Sequence, residues 1–277
     1  MHNKPQLYAR QWGATDVPFS LLNEQSWLES PALQKASDLL QQTALLRGVM
    51  LLCGPNGAGK SALAARWLRQ CDQRLFHPLV LTQSSLTGSS ILASITLKLG
   101  KPARNRRERN LQLIEEAVAE LERRTLILVL DEAQNYSASA LEEVRLLLGL
   151  NLVERPLFAL ILIGDDYLLN TLKLRHQRAL FSRISCHHVL SPWTLPEVTL
   201  YLEKALAAVG LERQVFEPAA IELLASASAG LPRTLALLAQ SSWLHASSLQ
   251  LQSVTAAHVQ KALEEVPYAP GLQRSNP

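Results

Sequence analysis

Phosphate chemistry needs clustered glycines, a lysine, a hydroxyl and a pair of carboxylates, and two short runs of this chain supply them. Gly54-Pro55-Asn56-Gly57-Ala58-Gly59-Lys60-Ser61 fits the pattern G-x-x-x-x-G-K-[ST] in full. The apolar run Val49–Cys53 precedes it and an Ala/Leu-rich stretch, 62–69, follows. In that setting backbone N–H groups can converge on phosphate oxygens at the positive end of a helix. All eight residues are therefore candidate ATP-binding residues. Lys60 is suited to the β- and γ-phosphates and Ser61 to a Mg2+ ion. The bland counterpart is a glycine-rich connector.

The second run is Leu126-Ile-Leu-Val-Leu130 leading straight into Asp131-Glu132. A buried strand ending in this pair would place Asp131 on the Mg2+ shell and Glu132 on the attacking water. Alone it could be a strand that ends in acidic residues at the surface. Downstream of an intact phosphate loop it becomes the second half of a hydrolytic site. ATP and Mg2+ are thus the expected cofactors, and ATP hydrolysis the expected reaction.

These runs need elements to hold them. From Gly48 to about Leu190 short apolar runs alternate with helical patterns, which predicts βαβ units and a parallel sheet. The predicted strands are Val49–Cys53, 79–82, Thr125–Leu130, 157–163 and 184–190. After Ser191-Pro192-Trp193 the pattern is helical only, over 196–208, Pro218–Ser228, 232–246 and 254–265. Proline stands near the start of three of these and glycine near the ends of two. The division expected is an N-terminal extension, 1–47, packing on the core; an α/β core, 48–191; a helical lid, 192–266; and a flexible tail, 267–277.

The chain has 277 residues, 48% of them hydrophobic and 18% charged, a globular balance. No stretch reaches the apolar length of a membrane helix, and the N-terminus lacks a secretory layout. Three cysteines without ligand spacing (Cys53, Cys71, Cys186) read as small buried hydrophobes in a reducing, cytoplasmic setting. His187-His188 reads as a strand-end pair. One charged segment stands out: Lys101, Arg104, Arg106, Arg107 and Arg109 carry five positive charges against the single negative of Glu108. The functional reading is a contact to a DNA phosphate backbone without base readout; the alternative is a solvated loop and helix start.

Asp131-Glu132-Ala133-Gln134 and Gly230-Leu-Pro232-Arg233 together resemble AAA+ ATPases of the ExeA/TnsC/TniB type, with Trp12-Gly13, Pro18-Phe19, Gly164-Asp165-Asp166-Tyr167-Leu168, Tyr201-Leu202 and Ala208–Gly210 in the matching order. The resemblance implies a P-loop three-layer α/β core with strand order 5-1-4-3-2 and a four-helix lid. It implies that Arg233 reads the nucleotide from the lid. It implies that Arg183 is supplied to a neighbouring subunit's ATP, although an in-chain salt bridge and the rival Arg178 remain open. Asp165 stands where the family often has a polar sensor, and a carboxylate there departs from the pattern.

The function expected is an ATP-hydrolysing, homo-oligomeric accessory ATPase of DNA transposition that assembles on duplex DNA and recruits or licenses a transposase. The alternative is an ExeA-like ATPase serving secretion or envelope assembly. A third reading, a nucleotide-gated scaffold with negligible turnover, sits poorly with an intact Glu132. No membrane span is expected.

Overall fold

A computed structural model of the chain describes residues 4–19, 26–82, 86–150, 156–267 and 269–272. In chain order it begins with helices α1 (Lys4–Trp12) and α2 (Pro31–Leu46), strand β1 (Val49–Cys53) and helix α3 (Lys60–Gln70). Then come β2 (Phe76–Leu81), α4 (Gly88–Lys98), α5 (Arg107–Glu120), β3 (Thr125–Leu130) and α6 (Ala138–Leu147). The second half holds β4 (Phe158–Ile163), α7 (Asp166–Lys173), α8 (Arg178–Phe181) and β5 (Cys186–Val189). Four helices follow: α9 (Leu195–Ala207), α10 (Pro218–Ser228), α11 (Pro232–Ser248) and α12 (Ala256–Glu265).

The five strands form one parallel sheet in the order β2-β3-β4-β1-β5, which is the expected 5-1-4-3-2. The central strands are buried on both faces, which is why they read as unbroken apolar runs instead of alternating. Strand pleating still sorts their side chains. Leu51, Leu128, Leu130, Leu160 and Leu162 join Ile91, Ile114, Val144 and Leu168 in one core. Their neighbours in the chain point to the opposite face, and α2 packs along β1, β3, β4 and β5. The result is a three-layer α/β/α sandwich. Truncating any of these leucines to alanine removes about 2–5 kcal/mol.

By compactness the described residues fall into two units. One holds Pro31–Pro55 and Lys60–Leu190, the sheet and its helices; the other holds the described parts of Met1–Ser30, Asn56–Gly59 and Ser191–Pro277. The expected 1–47 extension therefore divides. Its second half is α2, part of the sheet unit. Its first part packs with the lid helices: Ala9, Trp12, Ala14 and Phe19 are buried in one cluster with Val198, Leu235, Trp243 and Val259. The Trp12 and Trp243 rings lie 5.6 Å apart, and Trp12 Nε1 donates to Ser247 Oγ at 2.8 Å. Aromatic burial against α11 decides this placement.

The tail also departs from expectation in part. Pro270–Leu272 forms a short 3-10 turn against α10, where a Cβ on Gly271 would lie 1.6 Å from the Ser226 carbonyl oxygen. Residues 268 and 273–277 of that tail lie outside the described residues. Among the described residues, no helix is long and apolar enough to cross a membrane.

Candidate functional site

β1 ends at Cys53, and the chain turns through Gly54–Gly59 before α3 starts at Lys60. Gly57 and Gly59 take φ values of 89° and 95°, a region open to glycine but costly to other residues. No described residue accepts from the backbone N–H groups of Gly57, Ala58, Gly59 or Lys60. Four donors without a protein acceptor at the start of an eleven-residue helix are what an anionic phosphate chain requires. The donor set therefore fits ATP.

Lys60 is buried, and its ammonium donates to the carbonyls of Gly54 (2.7 Å) and Pro55 (3.0 Å). Burial pulls its pKa down from the ordinary lysine value; the charges of Glu132, Asp165 and Asp166, in that order, pull it back up. Three carboxylates thus act on one ammonium.

The Mg2+ ligands expected from sequence stand together. Ser61 Oγ donates to Asp131 Oδ1 at 3.0 Å, and the same oxygen accepts from the Glu132 backbone N–H at 3.0 Å. Asp131 is held from behind as well. Its N–H continues the β2–β3 ladder onto Leu81 O (3.0 Å), and Tyr136, a buried residue, donates its hydroxyl to that same carbonyl (3.1 Å). Burial, then the Asp131 charge, push the Tyr136 hydroxyl up to about 12, so it stays a donor. A hydroxyl and a carboxylate so placed suit a hard, oxygen-seeking cation.

Glu132 leaves the strand in a left-handed conformation, φ 52° and ψ 45°. Its carboxylate is exposed and accepts from Gln134 Nε2 at 2.7 Å. Asp165 follows β4, and its carboxylate accepts from the N–H groups of Tyr167 (3.0 Å) and Leu168 (3.2 Å). It is thereby the N-cap of α7. That local task accounts for an aspartate at this turn.

The two arginines are placed differently. Arg183 is exposed, and its Nη1 donates to the Arg145 carbonyl (3.2 Å) at the end of α6 in its own chain. Beside it Glu142 is held below the usual carboxylate range by its hydrogen bonds to Arg145, with the Arg183 charge adding to the effect. Arg178, the rival, is exposed on α8. Arg233 is the second residue of α11, exposed at its side chain, and its backbone N–H donates to the Gly57 carbonyl at 3.3 Å.

The basic segment is less free than its composition suggests. Lys101 pairs with Glu120 (2.5 Å) and Arg107 with Glu143 (2.7 Å). Arg109 donates to Gln112 (2.6 Å) and lies 4.0 Å from Glu116. Only Arg104 and Arg106 are exposed with no ion pair among the described residues. Buried Asn110 clasps the Arg104 backbone through both N–H and C=O, at 2.8 Å each. Neither Asn110 nor Gln134 was singled out for a role in the sequence. Gln134 had a signal, its place in the Asp-Glu-Ala-Gln run; Asn110 had none.

Residues 44–172 match the family model for an AAA domain. The chain carries the AAA+ fold. It is 28% identical over 244 residues to general secretion pathway protein A of Aeromonas hydrophila, covering 84% of this chain and 43% of that protein. This chain therefore spans less than half of that relative's length. Among solved structures it resembles the Aeropyrum pernix ORC2 protein in its ADPNP–ADP complexes (TM-score 0.65, 18% identity, 92% of this chain and 71% of that one). It also resembles the Thermotoga maritima RuvB Holliday junction branch migration motor (TM-score 0.56, 20% identity, 86% and 70%). At these identities the structures establish the fold. The resemblance read from the sequence is borne out on its ExeA side, and the fold class with it.

Proposed function

We propose that the chain is an ATP-hydrolysing AAA+ ATPase working in a secretion-type process, as the name of its Aeromonas relative suggests. The observation that carries the enzymatic part is the Ser61–Asp131 contact beside buried Lys60, with Glu132 next in the chain. When bound, MgATP supplies the γ-phosphoryl group, whose bond to the bridging oxygen breaks as a water oxygen adds. Lys60 and the N–H groups of Gly57–Lys60 would bind the phosphates, and Ser61 and Asp131 would hold the metal. Glu132 orients the water and takes its proton. Arg233 is assigned to the nucleotide from the lid, and Arg183 to a neighbouring subunit in a homo-oligomer.

The secretion reading leads because its relative covers most of this chain. The transposition reading, with duplex DNA and a transposase as partners, rests on exposed Arg104 and Arg106 and on the family resemblance. The test is turnover by purified chain with and without Mg2+, against Lys60→Ala. Mg2+-dependent release of phosphate that Lys60→Ala lacks supports the ATPase; equal rates in both remove it. ATP-dependent binding to random duplex DNA would put the second reading first.

A further inference from the structure

Glu132 sits in a backbone conformation that non-glycine residues seldom adopt, and such a residue persists only where its surroundings over-determine it. An exposed carboxylate on that backbone would ordinarily sample several rotamers. Among the described residues, one side chain holds it. Gln134 Nε2 donates to Glu132 Oε2 at 2.7 Å, while Gln134 Oε1 accepts from the Asp165 backbone N–H in a longer contact of 3.4 Å. The amide is used at both ends, as donor to a carboxylate and as acceptor from a peptide. Neither a glutamate nor an isosteric methionine can do both.

The far end of this bridge is well anchored. Asp165 caps α7 with its own carboxylate, and Leu168 beneath it is fully buried. The turn also leaves room for the amide: a Cβ on Gly164 would lie 2.8 Å from Gln134 Oε1 and 2.5 Å from Leu168 Cδ2. Any side chain at 164 would collide with the seated glutamine.

We propose that Gln134 is the positioning residue for Glu132, its amide fixing the direction of that carboxylate and tying it to the turn between β4 and α7. The inference rests on the ATPase reading above and extends it. Among the charges acting on Lys60, that of Glu132 is the largest. Both ends of the Gln134 amide are taken up by Glu132 and the Asp165 backbone. Its loss should spare nucleotide binding and slow the step in which Glu132 handles the water.

The experiment compares Gln134→Met and Gln134→Glu with the parent chain. Amide hydrogen exchange at Asp165 is measured without nucleotide, ATP affinity by fluorescent-nucleotide displacement, and kcat by phosphate release. Gln134→Met, which removes both bonds but keeps the shape, should speed exchange at Asp165. Gln134→Glu keeps an acceptor for Asp165 and should not. Both should lower kcat by about 10- to 100-fold, the size seen when groups orienting a functional ligand are lost. ATP affinity should stay within about twofold. Parent-like kcat in Gln134→Met overturns the proposal, as does unchanged exchange at Asp165 or a fall in ATP affinity that matches the fall in kcat. A parent chain with no turnover above Lys60→Ala would overturn the ATPase reading, and the exchange measurement would still decide the tether.

Discussion

The hydroxyl of Ser61, at the start of α3, donates to the carboxylate of Asp131, at the end of β3, across 3.0 Å. Two elements far apart in sequence are thus joined through the side chains a Mg2+ ion would take. Ser61 is exposed and Asp131 half-buried, so neither residue fills the core. Ser61→Ala is predicted to raise the Mg2+ concentration needed for half-maximal nucleotide binding by about 10- to 100-fold. Affinity for ATP without metal should be unchanged. Nucleotide titrations over a Mg2+ series read this directly, and an unchanged Mg2+ requirement would remove Ser61 from the metal site.

Lys60 and Glu132 divide the labour between binding and turnover. Lys60→Ala should abolish tight MgATP binding, because the ammonium is buried where the phosphates would lie. Glu132→Gln should keep that binding and stop hydrolysis, because its task arises only when water attacks. Equal loss of affinity in both variants would take Glu132 out of the reaction.

Arg183 donates to the Arg145 carbonyl of its own chain, yet its exposed guanidinium is free to exchange that single neutral acceptor for a phosphate. A charge-assisted bond is roughly twice as strong as a neutral one. Arg183→Ala should lower turnover by about 10³-fold or more while ATP still binds. Mixing Arg183→Ala with Lys60→Ala should restore activity in co-assembled subunits. If co-assembly is demonstrated and no activity returns, Arg183 is a brace for the end of α6 and nothing else.

Much of this site was legible before the fold. The runs at 54–61 and 131–132 carry their chemistry in residue type and spacing, and buried parallel strands such as Leu126–Leu130 announce themselves as unbroken apolar stretches. Partner choice was not legible. Arg107 meets Glu143 and Lys101 meets Glu120 only because α4, α5 and α6 pack side by side. Composition alone counted those cations as free. Likewise nothing local in Trp12 says that its ring packs against Trp243, since that contact closes most of the chain length.

His258 should give the helical unit a pH dependence. Its Nδ1 accepts from the Thr255 N–H at 3.0 Å, closing a capping box at the start of α12. Burial, then the neighbouring His245, hold its pKa below the ordinary value of 6.5, against a weaker opposing pull from Glu217. A lowered folded-state pKa means that the stabilisation is complete above the unfolded value and is lost as pH falls through the folded one. The protection of the α12 amides relative to intrinsic exchange should therefore fall on going from pH 7.5 to pH 5.5. His258→Gln keeps an acceptor that does not titrate and should flatten that response; His258→Ala should cost about 1 kcal/mol at neutral pH. A pH response that survives in His258→Gln would place its origin elsewhere.

The basic segment yields the prediction that separates the two cellular readings. Of its five cations, three are engaged by Glu120, Glu143, Gln112 and Glu116 within the chain. Arg107 is the most committed: its partner Glu143 is mostly buried and has a second oxygen without a hydrogen bond among the described residues. Removing Arg107 would leave a poorly solvated carboxylate, so that variant tests stability more than DNA contact. Arg104 and Arg106 remain. Two neutralised phosphates per subunit give a logarithmic salt slope of about −2, too shallow for tight binding by one copy. Binding would then require several copies joined on one duplex, each adding its pair of contacts. Duplex binding by the parent chain should therefore depend on ATP, and Arg104→Gln with Arg106→Gln should lose as much of it as replacement of all five. Sedimentation with random duplexes, with ATP or ADP and over a salt series, measures both. If only the five-fold variant loses binding, the in-chain ion pairs open on DNA and the two-arginine site is wrong. If the parent shows no ATP-dependent binding, Arg104 and Arg106 are a solvated loop and the secretion-type reading stands alone.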